Sequence, residues 1–207
     1  MMQFPGKTVF GLTICLATLF SCGKKKMHAN DYQSFLENKE HRLTIENNQQ
    51  KIPVNMTLFP LDWQAFKASY INSSMDREAF LAYKEENKGV LQFSFKLFLP
   101  DQNSLEGYFA GKFENPQEAL LYSEYDLKDD FILAVNNDSI TAMATHHQPS
   151  FGLKPYEEFI VIFDTNDEQI EGKTIELVYK DYLFGLGNIH YSFSEETMKN
   201  IPELTIK

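Results

Sequence analysis

Leu91, Phe93, Phe95, Leu97 and Leu99 stand at every second position of one stretch, with Gln92, Ser94 and Lys96 between them. Successive side chains of a strand point to opposite faces. The stretch is therefore a strand with one dry face and one polar face, and the dry face needs a second layer to cover it. Phe159 to Phe163 is apolar on both faces, which predicts a central strand. Val54, Met56 and Leu58 alternate within Pro53 to Phe59, and Pro60 closes that strand. Ile175, Leu177 and Tyr179 alternate within Lys173 to Lys180, and Ile189, Tyr191 and Phe193 within the last strand. Phe131 to Val135 runs up, Asn136-Asn137-Asp138 turns, and Ser139 to Thr145 runs back. His41 to Glu46 is a candidate first strand. Leu105 to Phe113 reads as a strand returning from the turn Pro100-Asp101-Gln102-Asn103.

Helical spacing is confined to short segments. Trp63, Phe66 and Tyr70 share one side of Leu61 to Ile71, with Asp62 near its start. Asp76 can cap a second helix in which Ala79, Phe80 and Tyr83 face one way. Asn115-Pro116-Gln117-Glu118 has the form of a capped start, for a helix ending near Tyr125. Ser194 can cap a final helical turn before Pro202. Eight or nine short strands with few short helices predict a mainly β fold, an antiparallel β-sandwich decorated with two to four helices. The spacing resembles that of immunoglobulin-like sandwiches in secreted bacterial proteins. An α+β fold is the alternative.

The first residues obey different rules. Lys7 precedes an apolar run from Val9 to Phe20, and Ser21 precedes Cys22. A basic start, a short apolar centre and a small residue at the end are the parts of a secretory leader. The run is too short for a span of about 20 residues. Leu19-Phe20-Ser21-Cys22 resembles the lipobox of bacterial lipoproteins. The resemblance implies cleavage after residue 21 and acylation of Cys22, and two or more buried chains anchor firmly where one does not. It divides the sequence into a leader over 1–21, a lipidated tether over 22–33 and one globular domain over 34–207. Gly23 replaces the aspartate that, in that family, retains a protein at the inner membrane. The expected address is the periplasmic face of the outer membrane. Lys24, Lys25 and Lys26 add attraction to anionic headgroups.

Cys15 and Cys22 are the two cysteines, so a domain cleaved and lipidated in this way keeps no thiol for catalysis, metal binding or an internal disulfide. The chain has a formal net charge of −10, which disfavours nucleic acid, because phosphate contacts need clustered Lys and Arg. Its Phe and Tyr content suits a sheet-built core.

Candidate sites each have a plainer explanation beside them. Trp63, Tyr70 and Tyr83 could stack on sugar rings, although aromatics at helical spacing more often belong to a core. His146 and His147 could ligate a metal, with Met143 near enough to suggest copper. Neighbours on a strand point apart, however, and no third ligand stands at a recognisable spacing. Asp164-Thr165-Asn166-Asp167-Glu168 matches half of a calcium loop but has Gln169 and Ile175 where glycine and glutamate are required. Gly185-Leu186-Gly187 is a turn. Glu124, Asp126, Asp129 and Asp130 form an acidic run, either a solvated face or a docking patch for a basic partner. Asp138-Ser139-Ile140 resembles a short O-glycosylation acceptor. No nucleophile elbow, zinc-binding helix or phosphate loop is present, and no cofactor is implied. The expected function is a membrane-anchored, non-enzymatic module that binds an envelope protein. A small-ligand or carbohydrate-binding lipoprotein is the alternative, and a hydrolase with paired carboxylates is third.

Overall fold

The structure, a computed structural model, describes residues 24–71, 74–100, 104–136, 138–165, 170 and 173–206. The leader, Cys22, the turn at 101–103 and most of the segment 164–168 lie outside them. The fold is α+β, with antiparallel sheets. The larger sheet contains β2 (Thr44–Asn47), β3 (Val54–Phe59), β6 (Val90–Leu97), β10 (Glu157–Asp164) and β9 (Ala144–Gln148), in that order. The smaller contains β12 (Asn188–Phe193), β11 (Ile175–Lys180), β7 (Phe131–Val135) and β8 (Asp138–Thr141), in that order. Every pairing in both is antiparallel.

The dry face of β6 explains how the sheets meet. Its Phe93 ring lies 5.6 Å from Phe193 of β12, and Phe95 lies 5.3 Å from Phe131 and 4.8 Å from Tyr179. The inward residues of β11 and β12 are buried in strict alternation with their neighbours. β10 is central, as its two apolar faces require, with β6 on one side and β9 on the other.

α1 (Ala29–Glu37), α2 (Leu61–Ser69), α3 (Arg77–Glu86), α4 (Leu105–Ala110), α5 (Pro116–Tyr125) and α6 (Glu195–Lys199) are more helices than the sequence pattern suggests. Two caps are where the sequence places them: Asp76 accepts from the Ala79 N–H at 3.0 Å, and the Ser194 hydroxyl accepts from the Thr197 N–H at 3.1 Å. Asp76→Ala is expected to cost about 1 kcal/mol, and Asp76→Ser much less, in urea unfolding. Asn115 makes no such bond to the start of α5.

Five segments depart from the sequence reading. Leu105 to Phe113 is not a strand. Ser104 caps α4, and Leu105, Tyr108 and Phe109 bury a helical stripe. The stretch expected as a tether up to Gln33 folds instead: β1 (Lys26–His28) pairs in parallel with β13 (Glu203–Thr205), and Tyr32 of α1 is fully buried, its hydroxyl on the Pro202 carbonyl at 3.0 Å. The first strand starts at Thr44, after a 3-10 turn over Lys39–His41. Ser139 to Thr145 divides between sheets. The Ala142 N–H bonds Phe131 of the smaller sheet, and the next N–H, of Met143, bonds Ile162 of the larger. α2 stops at Ser69, where β4 (Tyr70–Ile71) turns back on β5 (Ser74–Met75).

Candidate functional site

Trp63, Tyr70 and Tyr83 do not share one cleft. Trp63 stacks on buried Tyr32 at 5.9 Å and on Phe66 at 5.5 Å, and Phe66 meets Tyr70 at 5.4 Å. These rings form a ladder along α2 that starts in the core and ends at Tyr70, 51% exposed. Tyr83 projects elsewhere, from α3 towards the outer face of the larger sheet.

That outer face is polar where a helix covers it. Register aligns Thr44, Thr57, Ser94, Ile160 and His146 across five strands. Beside them run Lys96, Glu158 and Gln148, and on the other side Phe59, Gln92 and Ile162. Thr57, Ser94 and Glu158 are buried, as is Gln64 of α2 above them. Burying polar groups costs unless each is hydrogen-bonded. The Ser94 hydroxyl donates to Glu158 at 2.5 Å, and Gln64 Nε2 donates to the Phe59 carbonyl at 2.7 Å. The Gln64 Oε1 is buried with no partner. A groove of about 350 Å³ opens here between Gln64, Lys67, Tyr83, Gln92, His146 and Gln148, floored by Phe59, Ile160 and Ile162. It thus joins two residues singled out in the sequence, Tyr83 and His146.

His147 faces the other way, as the strand alternation requires. Its ring stacks on Phe159 at 4.8 Å, and its Nε2 lies 2.8 Å from buried Glu157. The Ser150 hydroxyl donates to Glu157 at 2.6 Å, and the Ser150 N–H donates to it at 3.1 Å. Serine and histidine each bind the carboxylate rather than one another, so the imidazole is not placed to activate the hydroxyl. The cluster braces the turn after β9. Among the described residues, no three His, Cys, Asp or Glu side chains are grouped to hold a metal ion.

A second surface surrounds the acidic run. Leu121 and Tyr125, one helical turn apart on α5, are 57% and 69% exposed, and Tyr182 is 73% exposed. The Tyr122 ring meets that of Tyr182 at a tilt, 5.0 Å between centres, which joins α5 to the segment after β11. Glu124, Asp126 and Asp129 are exposed around these rings. Asp130 is not part of that solvated rim: it is 7% exposed, its Oδ1 accepts from the Tyr122 hydroxyl at 2.6 Å, and its Oδ2 is buried without a partner. Burial raises the Asp130 carboxyl to about 6; the Tyr122 bond opposes this and the Asp181 charge adds to it. The sequence offered no sign that this one acid of the run turns inward.

No protein-family model matches the chain, and no curated protein matches it. Among solved structures, it is similar to a novel protein of unknown function from Burkholderia pseudomallei K96243, at 10% sequence identity and a TM-score of 0.40, over 84% of this chain and 93% of that one.

Proposed function

We propose that this chain is a lipoprotein of the cell envelope, anchored through Cys22 at the periplasmic face of the outer membrane, and that its domain is a non-enzymatic module that docks a protein partner. The observation that carries the docking reading is the exposed surface of Leu121, Tyr125 and Tyr182 within a rim of carboxylates. Tyrosine offers large contact area at low cost in side-chain freedom and is enriched at interface hot spots. The acidic rim suits a basic partner segment and speeds its encounter. The anchor rests on the leader and lipobox. The immunoglobulin-like assignment of the two-sheet core belongs to the same proposal; its support is the facing of the two antiparallel sheets through aromatic rings, and an experimental structure with Greek-key connections would establish it.

In-cell cross-linking followed by purification of the full-length protein tests the reading. A stoichiometric partner is expected, cross-linked near α5. Tyr125→Ala and Tyr182→Ala together are expected to weaken it by about 2 kcal/mol or more. Cys22→Ser is expected to release the protein from the membrane fraction. Retention of the partner by the double variant would remove the docking surface, and membrane retention of Cys22→Ser would remove the anchor.

A further inference from the structure

The groove over the larger sheet is lined by none of the residues of the proposed docking surface. A sheet face covered by a helix is ordinarily apolar, because that is what the layers bury against each other. Here the layer beneath α2 contains Thr57, Ser94 and Glu158, all buried, with buried Gln64 of α2 above them. The groove that Gln64 lines with Gln92 and Gln148, about 350 Å³, lies within the range of small-molecule sites, which combine apolar walls with a few polar groups that orient the ligand.

The charge at this place opposes that of the chain as a whole. Lys67, Lys96 and Lys154 are close enough to influence one another electrostatically around the single carboxylate of Glu158. Lys154 reaches Glu158 at 3.4 Å, and the Lys96 and Lys154 ammonium groups lie 4.7 and 5.5 Å from the centre of the Tyr156 ring. Lys67 makes no ion pair among the described residues. It is exposed as a residue, yet its ammonium is drawn over the Phe59 ring at 5.0 Å. Its pKa is lowered: burial does most, the neighbouring Lys154 and Lys96 add, and Glu158 opposes. The carboxylate that acts on it, Glu158, is shared with Lys154 and Lys96, so three ammonium groups face one negative charge. Around Lys67 stand the amides of Gln64, Gln92 and Gln148, the Tyr83 hydroxyl, which takes a bond from Gln92 Nε2 at 3.2 Å, and His146. Amides and hydroxyls both donate and accept, which matches hydroxyl groups on a ligand.

We propose that this groove binds a small, hydroxyl-rich organic anion of the sugar-acid class, its carboxylate at Lys67 and its hydroxyls on the amides of Gln64, Gln92 and Gln148. A neutral sugar leaves the excess positive charge of the three lysines unmet. Inorganic phosphate leaves the amides and the apolar floor unused.

The test is calorimetric titration of the full-length chain in detergent with glucuronate, glucose and inorganic phosphate. Glucuronate is expected to bind, with glucose and phosphate each weaker by about tenfold or more, in keeping with the worth of one charge-assisted contact or several neutral ones. Lys67→Met keeps the aliphatic stem and is expected to lose at least tenfold in glucuronate affinity. Gln148→Ala, on the edge strand β9, is expected to weaken glucuronate without altering the melting temperature, and so decides the matter if the lysine variant is misfolded. Lys112→Met, whose ammonium lies over Tyr108 away from the groove, removes the same charge and is expected to change nothing. No heat with glucuronate, equal binding of glucose or of phosphate, or equal loss in Lys112→Met would each overturn the assignment.

Discussion

Phe95→Ala is expected to remove about 3–5 kcal/mol of stability, the range for deleting a fully buried aromatic ring. Phe95 has no exposed surface and sits in mid-strand, paired with Met56 of β3 on one side and Phe159 of β10 on the other. Its ring meets Phe131 edge-on and Tyr179 at a tilt, so the deletion breaks contacts with the second sheet as well as its own. The cavity would be walled by strands hydrogen-bonded on both edges, which cannot collapse inward to refill it. Among the described residues no disulfide offsets the loss, because both cysteines lie outside them. A domain of this kind has about 5–15 kcal/mol in all, so the variant should unfold at far lower urea or not fold. Phe151, 83% exposed on the turn after β9, is the control: Phe151→Ala should change stability by no more than about 0.5 kcal/mol. A Phe95→Ala loss under 1 kcal/mol would mean that the two sheets do not meet through this ring.

Period-two patterning made the core legible. β3, β6, β10, β11 and β12 are all where alternation or a continuous apolar run places them, because each packs one dry face on the other sheet or both faces under cover. α4 was not legible. Leu105, Tyr108 and Phe109 serve a helix, and the decisive feature was Ser104 ahead of them, a cap rather than part of a turn. The break at Ala142 and Met143 was hidden because a strand that changes sheets keeps its alternation while changing the partners of its backbone. The polar groove depends on strand order. Ser94 and Glu158 are 64 residues apart, and only the β6–β10 register brings hydroxyl and carboxylate together. His146 and Tyr83 were visible as residue types, but nothing local to either shows that both border one groove.

The acidic run yields a result in the pH dependence of stability. A carboxyl raised from 3.8 to about 6 in the folded state binds its proton more tightly there than in the unfolded chain. The folded state therefore holds the extra proton between those values, and stability falls as pH rises through them. The contribution is fully present below about pH 4 and lost above about pH 6. Two pKa units correspond to about 3 kcal/mol. Asp130→Asn leaves an acceptor for the Tyr122 hydroxyl and removes the charge that burial disfavours. Compared by urea unfolding, the variant and the parent should be nearly equal at pH 4, and the variant more stable by about 2–3 kcal/mol at pH 8. The comparison at each pH cancels the other carboxylates, which titrate in both proteins. Tyr122→Phe sharpens the assignment. The phenol bond holds the Asp130 carboxyl down, so its removal should move the fall in stability to higher pH. A variant that gains nothing over the parent at pH 8 would mean that Asp130 is charged at no cost, and that the run is a solvated face along its whole length.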